Sequence, residues 1–226
     1  MADRVKPGRA LTTVRVVDEA MRMADEAGIE AVSLRQLAPR LGVTPMALYH
    51  YVRDKDELLD LMADRLVSEI QASDEMSSSK WQKALRRIGE RYLAVITAHP
   101  AAPFLLSRPF DSSAARQISE RILDILARAG FGPQTAVPLL QVSTGILLGP
   151  ALHRAIYAGA ARGRPMENAG TSIAGGPIDR SGSSQVAAGG QSSWITGGEA
   201  DRLTLELWLA AVEALAKRRA RGNQRR

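Results

Sequence analysis

Residues 33–52 read SLRQLAPRLGVTPMALYHYV. Ser33 is placed to cap a short helix that Gly42 ends, and Thr44 is placed to cap a second. Pro45 takes the first position of the second helix, where its missing N–H is not needed. A short helix, a glycine turn and another short helix form the helix-turn-helix pattern, whose second helix fits the major groove of DNA, ~12 Å wide. The apolar residues expected to face inward are Leu34, Leu37, Ala38, Leu41, Leu48 and Val52.

The outer face of the second helix is expected to bind double-stranded DNA. Its first residues and His50 face the base edges, whereas the neighbouring tyrosines and Lys55 reach phosphates. Arg35, at the start of the preceding helix, reaches a base or a phosphate. Two small helices joined by a glycine turn also occur as plain packing in helical proteins, and spacing alone leaves that alternative open. The predicted DNA-binding residues are Arg35, Thr44, Pro45, Met46, Tyr49, His50, Tyr51 and Lys55.

Amphipathic helices are predicted on both sides of this motif. The first spans residues 11–27 and ends at Gly28, and Asp54 with Glu57 opens the fourth with capping-box spacing. The fourth helix continues to Ile70. The residues assigned to the buried face of the first helix are Val14, Val17, Met21 and Ala24.

The rest of the chain also has helical periodicity, so the predicted fold is all-α with nine to ten helices. A helix from Trp81 ends at His99, a proline-containing segment follows to Pro109, and another helix ends near Ala129. Further helices are predicted at 134–158, with a kink at Gly149–Pro150, and at 201–221. Between them, residues 159–199 are rich in Gly, Ala and Ser and indicate a mobile linker. The residues assigned to the buried face of the last helix are Leu203, Leu207, Trp208, Ala211 and Leu215.

Composition excludes several classes of protein. The 226 residues contain no cysteine, which excludes disulfide scaffolds, cysteine-bound zinc and thiol nucleophiles. Thirty Lys and Arg face 24 Asp and Glu, but residues 217–226 form a basic tail that accounts for the whole surplus. DNA binding therefore has to be argued from residue arrangement and not from net charge. No apolar leader or membrane span is recognised in the sequence, so a cytoplasmic protein without a membrane partner is expected.

The order, spacing and caps of residues 10–60 resemble the N-terminal domain of the TetR family of bacterial transcriptional regulators. The motifs that carry this resemblance are Leu-Tyr-His-Tyr-Val at 48–52, Lys55, and Asp-Glu-Leu-Leu at 56–59. Pro39 departs from the pattern and predicts a kink in the first helix of the motif. The resemblance implies a DNA-binding domain at 1–55 and an effector-binding and dimerisation domain at 56–226. It further implies a repressor whose two recognition helices read a palindromic operator with half-sites ~34 Å apart.

Residues 81–157 resemble the tetracycline-repressor branch of that family. The matching features are Trp81, Ser-Arg-Pro at 107–109, and Ala-Gly-Phe at 129–131. The resemblance implies an effector tunnel among helices and a homodimer formed by residues 134–158 and 201–221. For the 159–199 segment, a disordered linker and a cover over the partner's pocket are both open.

The same resemblance suggests the chemistry of the effector. Positions that hold the drug and its magnesium in the tetracycline branch fall on Ile70, Phe104, Ile88 and Ile122, and neighbouring pocket positions on Tyr92 and Ser107. Magnesium needs oxygen or imidazole ligands, which this set lacks. The resemblance thus implies no metal and no cofactor, and favours a lipophilic or aromatic effector with hydrogen bonds from Tyr92, Ser107 or Arg108. The alternative is that these apolar residues only fill the core.

The remaining polar features have simpler interpretations. His99 and His153 lack partners at metal or triad spacing, which favours structural roles. Arg4, Lys6 and Arg9 form either a minor-groove arm or a frayed terminus. No nucleophile–base pair, metal cluster or phosphate loop is visible, so an enzyme is not expected. The competing function is a helical ligand-binding protein or enzyme in which the motif only packs.

Overall fold

The computed structural model describes residues 10–71, 80–110, 112–161 and 197–223. Within these ranges the chain forms nine α-helices, one short 3₁₀ turn at Ile29–Ala31 and no strand, so the all-α prediction is confirmed. The helices are α1 (Thr13–Ala27), α2 (Leu34–Leu41), α3 (Pro45–Leu48), α4 (Lys55–Gln71), α5 (Trp81–Ala98), α6 (Ala102–Ser107), α7 (Ser113–Arg128), α8 (Pro133–Ala161) and α9 (Gly197–Asn223).

Helix α1 begins later than predicted, and its buried face is rotated. The Thr12 hydroxyl accepts a hydrogen bond from the backbone N–H of Arg15 at 3.2 Å, which caps the helix. The placement of Val14 in the core was wrong, because its side chain is 64% exposed. Glu19, which the pattern placed on the solvent side, is buried against Arg40 of α2. The inner face of α1 is set by contact with α2 and α4 and consists of Val16, Val17, Ala20, Met21, Met23 and Ala24.

Two large cores hold the helices together. The first joins α1 to α4 with the end of α5 and with α6, through residues such as Leu37, Leu66 and Leu105. The second joins α5, α7, α8 and α9 through residues such as Ile125 and Trp208. The first core continues across the predicted domain boundary between residues 55 and 56, and that boundary stays a prediction.

Helix α6 was not predicted, because the proline-containing segment between His99 and Pro109 was assigned no helix. Pro103 lies in the first turn of the helix, where it removes no intrahelical hydrogen bond. Leu105 is fully buried, and it packs with residues of α1 and α4 in the first core. Packing against neighbours therefore stabilises a six-residue helix that its own sequence barely supports.

Helices α8 and α9 extend beyond the predicted limits. Helix α8 is assigned as one α-helix through Pro138 and Pro150. The ends of the predicted linker, 159–161 and 197–199, are helical, and its remaining residues lie outside the described part of the chain. Where the two helices meet, Arg154 binds the buried carboxylate of Asp201 through two hydrogen bonds of 2.8 and 2.9 Å. This bidentate pair ties the second half of α8 to the start of α9.

The outer faces of α8 and α9 are unusually apolar. Burial of Trp208 on α9 was predicted correctly, but that of Leu203, Leu207, Ala211 and Leu215 was predicted wrongly. The residues that α9 turns inward beside Trp208 are Leu205, Leu209 and Val212. On α8, Val142 is 57% and Ile146 is 41% exposed. In the described residues one stretch, Pro133–Ile156, passes a length and hydropathy test for a membrane span, with 28% of its window buried. The core helix of a soluble protein can have the same length and hydropathy.

Candidate functional site

The turn between α2 and α3 is built from caps and one left-handed residue. The Ser33 hydroxyl accepts from the N–H of Gln36 at 3.2 Å, and the Thr44 hydroxyl accepts from that of Ala47 at 3.3 Å. Gly42 adopts φ 70° and ψ 30°, where a side chain would be strained although there is space for it. The helix-turn-helix prediction is thus matched in local detail. Helix α2 runs through Pro39 to Leu41, so the proline does not end it early.

The second helix of the motif is shorter than predicted. Helix α3 ends at Leu48, and residues 49–51 continue as a turn in which the N–H of Val52 donates to the Leu48 carbonyl at 3.1 Å. Leu48 and Val52 are both buried, at 0% and 2% exposure, as the pattern predicted. They anchor the segment against the first core and turn its other side to solvent.

The predicted DNA-binding residues fall into two groups by exposure. Tyr51 is half-buried and packs against the first core, so it helps to anchor the motif. Met46 is 74% and Tyr49 52% exposed, unusual for large apolar and aromatic side chains. Their role in contacting DNA stays a prediction. The other predicted residues are all exposed, and together we call them the recognition surface: Arg35, Thr44, Pro45, Met46, Tyr49, His50 and Lys55.

Two of the four basic side chains in and beside the recognition surface are neutralised by ion pairs with glutamates. Arg40 binds Glu26 at 2.5 Å and Glu19 at 3.0 Å, and the hydrogen bond with Glu26 raises the pKa of its guanidinium. Arg53 pairs with Glu57 at 3.2 Å. In the part of the chain that the structure describes, Arg35 and Lys55 make no ion pair. These two cations are therefore the ones available for phosphate or base contacts.

A cavity of about 150 Å³ lies between α4, α5, α7, α8 and α9. Its wall is almost wholly apolar, and the described residues that line it carry no charge. Tyr92 occupies a central place, since its ring packs against both large cores and against a small third cluster around Ile96 and Leu148. Burial raises the pKa of the Tyr92 phenol, and its buried hydroxyl oxygen has no hydrogen-bond partner within the described residues.

Comparison with known proteins shows which proteins this chain is similar to. Residues 16–62 match the model of the tetR family of bacterial regulatory proteins. The HTH-type transcriptional repressor DrrR1 of Streptomyces coeruleorubidus is 34% identical over 149 residues, which cover 64% of this chain and 54% of that protein. Over residues 16–62 the chain is thus similar to the TetR family of regulators. It spans about half the length of the first curated relatives that it matches.

Two further similarities extend over more of the chain than residues 16–62. The class D tetracycline repressor of Escherichia coli is 26% identical over 153 residues, covering 66% of this chain and 69% of that repressor. The crystal structure of ActR from Streptomyces coelicolor in complex with (S)-DNPA superposes with a TM-score of 0.66 at 20% identity, covering 92% of this chain and 100% of that one. The structural match covers most of the chain, so the similarity in fold extends beyond residues 16–62.

Some of the predicted effector residues line the cavity and others do not. Four of them, Ile70, Ile88, Tyr92 and Ile122, line the cavity. The other three do not line it, and their part in an effector site stays a prediction. Each of these lies on the α6 side of the fold and is engaged locally: Phe104 is half-buried, the exposed Ser107 donates to the Phe104 carbonyl at 2.9 Å, and Arg108 faces Asp56 and Asp60 of α4.

Several cavity residues were missed by the sequence analysis. Besides the predicted Ile122, helix α7 contributes Ala115, Ile118 and Ser119 to the wall, and their spacing of three and four residues marks one helix face. That periodicity was the available signal. Trp208 of α9 also lines the cavity, and its ring N–H donates to the Ser143 hydroxyl of α8 at 2.7 Å. Its contribution depends on how α9 crosses α5 and α8, which local sequence does not encode.

Proposed function

We propose that this protein is a ligand-responsive, DNA-binding transcriptional repressor that leaves its operator when a small molecule binds in the cavity. The observation that carries this proposal is the recognition surface, where Met46, His50 and Lys55 face solvent while Leu48 and Val52 hold the segment on a buried core. Support also comes from the relatives, since DrrR1 is named a transcriptional repressor. The proposed partners are double-stranded operator DNA and an apolar or aromatic effector, not magnesium–tetracycline.

A homodimer through α8 and α9 is part of the proposal. Their outer faces expose Val142, Ile146, Leu203 and Leu207, and contiguous apolar surface of this kind marks an association site. Two-fold pairing of these helices would place two recognition surfaces on one side of the dimer. Since effector and operator would favour different separations of these surfaces, each must weaken the binding of the other. Such a regulator acts in the cytoplasm.

Operator binding can be tested on the DNA upstream of the protein's own gene, by fluorescence anisotropy across a salt series. His50→Ala should relax sequence preference, because a base contact is lost. Lys55→Ala should weaken binding to all sequences alike and reduce the slope of log affinity against log salt by about 1, because one phosphate contact is lost.

Lys83→Ala provides the matched control, since Lys83 is exposed on α5 away from the recognition surface. It should leave affinity and salt slope unchanged. If the wild-type protein shows no specific retention at physiological salt, the regulator proposal fails. If both recognition-surface variants bind like the wild type, the assignment of these residues fails while the function stands.

A further inference from the structure

The hydrogen-bonding groups in the cavity are unequally used. Three hydroxyls of the wall donate to carbonyls of their own helices: Ser119 to Ala115 at 2.8 Å, Ser143 to Leu139 at 2.6 Å, and Thr144 to Leu140 at 3.2 Å. Ser143 also accepts the Trp208 ring N–H. Since a hydroxyl has one hydrogen to donate, none of these three has a donor left for a bound molecule.

Tyr92 is the exception in this set. Its hydroxyl oxygen is buried and has no partner within the described residues. Because burial raises the pKa of the phenol, the group stays protonated at neutral pH and remains a donor. Tyr92 lines the apolar cavity, and buried polar groups almost always have a hydrogen-bond partner, so its hydroxyl is a candidate donor to a bound molecule there.

The wall also sets limits on charge and size. No charged side chain lies among the described residues that line the cavity, so a carboxylate or ammonium group entering it would lose its hydration without compensation. The volume of about 150 Å³ suits one aromatic ring, since apolar protein cavities of about that size bind benzene. A larger effector would have to push the surrounding helices apart.

We propose that the effector is an uncharged, largely apolar molecule whose carbonyl-type oxygen accepts a hydrogen bond from the Tyr92 hydroxyl. This inference rests on the proposed function, because it names the ligand class of the same cavity. Tyr92 is the residue that determines specificity, and the rest of the wall supplies apolar contact. The competing explanation for the unpartnered Tyr92 hydroxyl is a buried water molecule that accepts its hydrogen bond whether or not an effector is present.

The test uses matched probes that differ only in the polar group. Acetophenone, ethylbenzene and benzoate share one ring, and 2-acetylnaphthalene, 2-ethylnaphthalene and 2-naphthoate share two. Calorimetric titration of the full chain should show the ketone of at least one series binding about tenfold more tightly than its alkyl analogue, as one desolvated hydrogen bond allows. The carboxylates should not bind detectably. Equal affinity of ketone and alkyl analogue, or no binding by either series, would overturn the proposal.

Tyr92→Phe supplies the decisive variant. It should abolish the preference for the ketone and leave the affinity of the alkyl analogue unchanged. Its melting temperature should equal or exceed that of the wild type, because it removes an unpartnered hydroxyl without removing the ring. A clear fall in melting temperature would show that the hydroxyl is already satisfied, and would also overturn the inference. Ser107→Ala, outside the cavity, should keep the wild-type preference.

Failure of this inference can be told apart from failure of the proposed function. Ligand binding is measured without DNA, whereas operator binding is measured without ligand. Intact operator binding together with equal affinity for ketone and alkyl probes rejects only the ligand class. Ketone preference in a protein that does not bind operator DNA rejects only the regulator.

Discussion

At the scale of single residues, the cap of α4 links the recognition surface to the rest of the molecule. The Asp54 carboxylate accepts from the N–H of Glu57 at 2.8 Å, as its capping-box spacing predicted. The reciprocal bond differs from the usual pattern, because Glu57 accepts from the N–H of Arg53 at 2.5 Å. This bond lowers the pKa of the Glu57 carboxyl. One carboxylate thus joins the end of the recognition turn to the start of α4.

Glu57→Gln should therefore lower stability in a pH-dependent way. Since the pKa of Glu57 is lower in the folded chain, its charged form stabilises the fold above its ordinary value of 4.5. That contribution is lost as the pH falls below this value and the carboxylate is protonated. Thermal unfolding should show the wild type melting above the variant at pH 7, and the two converging in the acid range. Glu120→Gln, an exposed carboxylate on α7, is the control; a Glu57→Gln difference that does not change with pH would contradict the prediction.

At the scale of elements, hydrogen bonds join α1 to the short connection between α5 and α6. Asp25 of α1 lies 2.8 Å from Nδ1 of His99 and accepts from the N–H of Ala101 at 3.2 Å. Glu69 of α4 lies 3.5 Å from Nε2 of the same histidine. His99 thus has a structural role, as its lack of metal or triad spacing suggested. The contacts connect the DNA-recognition helices to the helices that line the cavity.

Asp25→Ala should loosen this junction. It leaves the Ala101 N–H and one histidine nitrogen without their carboxylate partner, which lowers the free energy of unfolding by about 1–3 kcal/mol. Denaturant unfolding measures the loss. Asp124→Ala, at an exposed position of α7, should change little. A variant at position 25 as stable as the wild type would show that the two groups are satisfied by solvent.

At the scale of the whole molecule, two exposed apolar helix faces remain to be covered. Leu203 is 59% and Leu207 62% exposed, one turn apart on α9. On the other side of the same helix, Gly89 of α5 allows close approach: a Cβ there would lie 2.4 Å from a methyl carbon of Leu205. The inner face of α9 is therefore packed within one chain, while Leu203 and Leu207 on its outer face stay exposed, as the proposed dimer requires.

The wild-type protein should accordingly sediment as a dimer, at twice its chain mass of 24.4 kDa. Leu203→Glu combined with Leu207→Glu should give a folded monomer, because two charges would be buried at the interface without partners. Operator affinity should fall with dimerisation, since a monomer holds only one half-site. Val14→Glu introduces the same charge at a position 64% exposed on α1 and should stay dimeric. A monomeric wild type would refute the pairing.

Much of the recognition domain follows from local sequence, because caps, turn glycines and short apolar stripes act within a few residues. Ser33, Gly42, Thr44 and Asp54 all have the local roles predicted for them. The assignment of Ile70, Ile88, Tyr92 and Ile122 to an effector pocket came from family resemblance, and all four line the cavity. Phe104, Ser107 and Arg108 do not line it: Ser107 is exposed to solvent, and Arg108 lies beside Asp56 and Asp60 of α4.

Sequence alone therefore determined the all-α class, the helix-turn-helix and the solvent-facing positions of its second helix, since each depends on hydrogen bonds and periodicity within one or two turns. Tertiary structure decided which apolar face of α9 is inner, that a six-residue α6 forms, and that the Tyr92 hydroxyl lacks a partner in the described chain. These features depend on contacts between helices far apart in sequence. A helix with apolar residues on several sides has no local signal for which side its neighbours will cover.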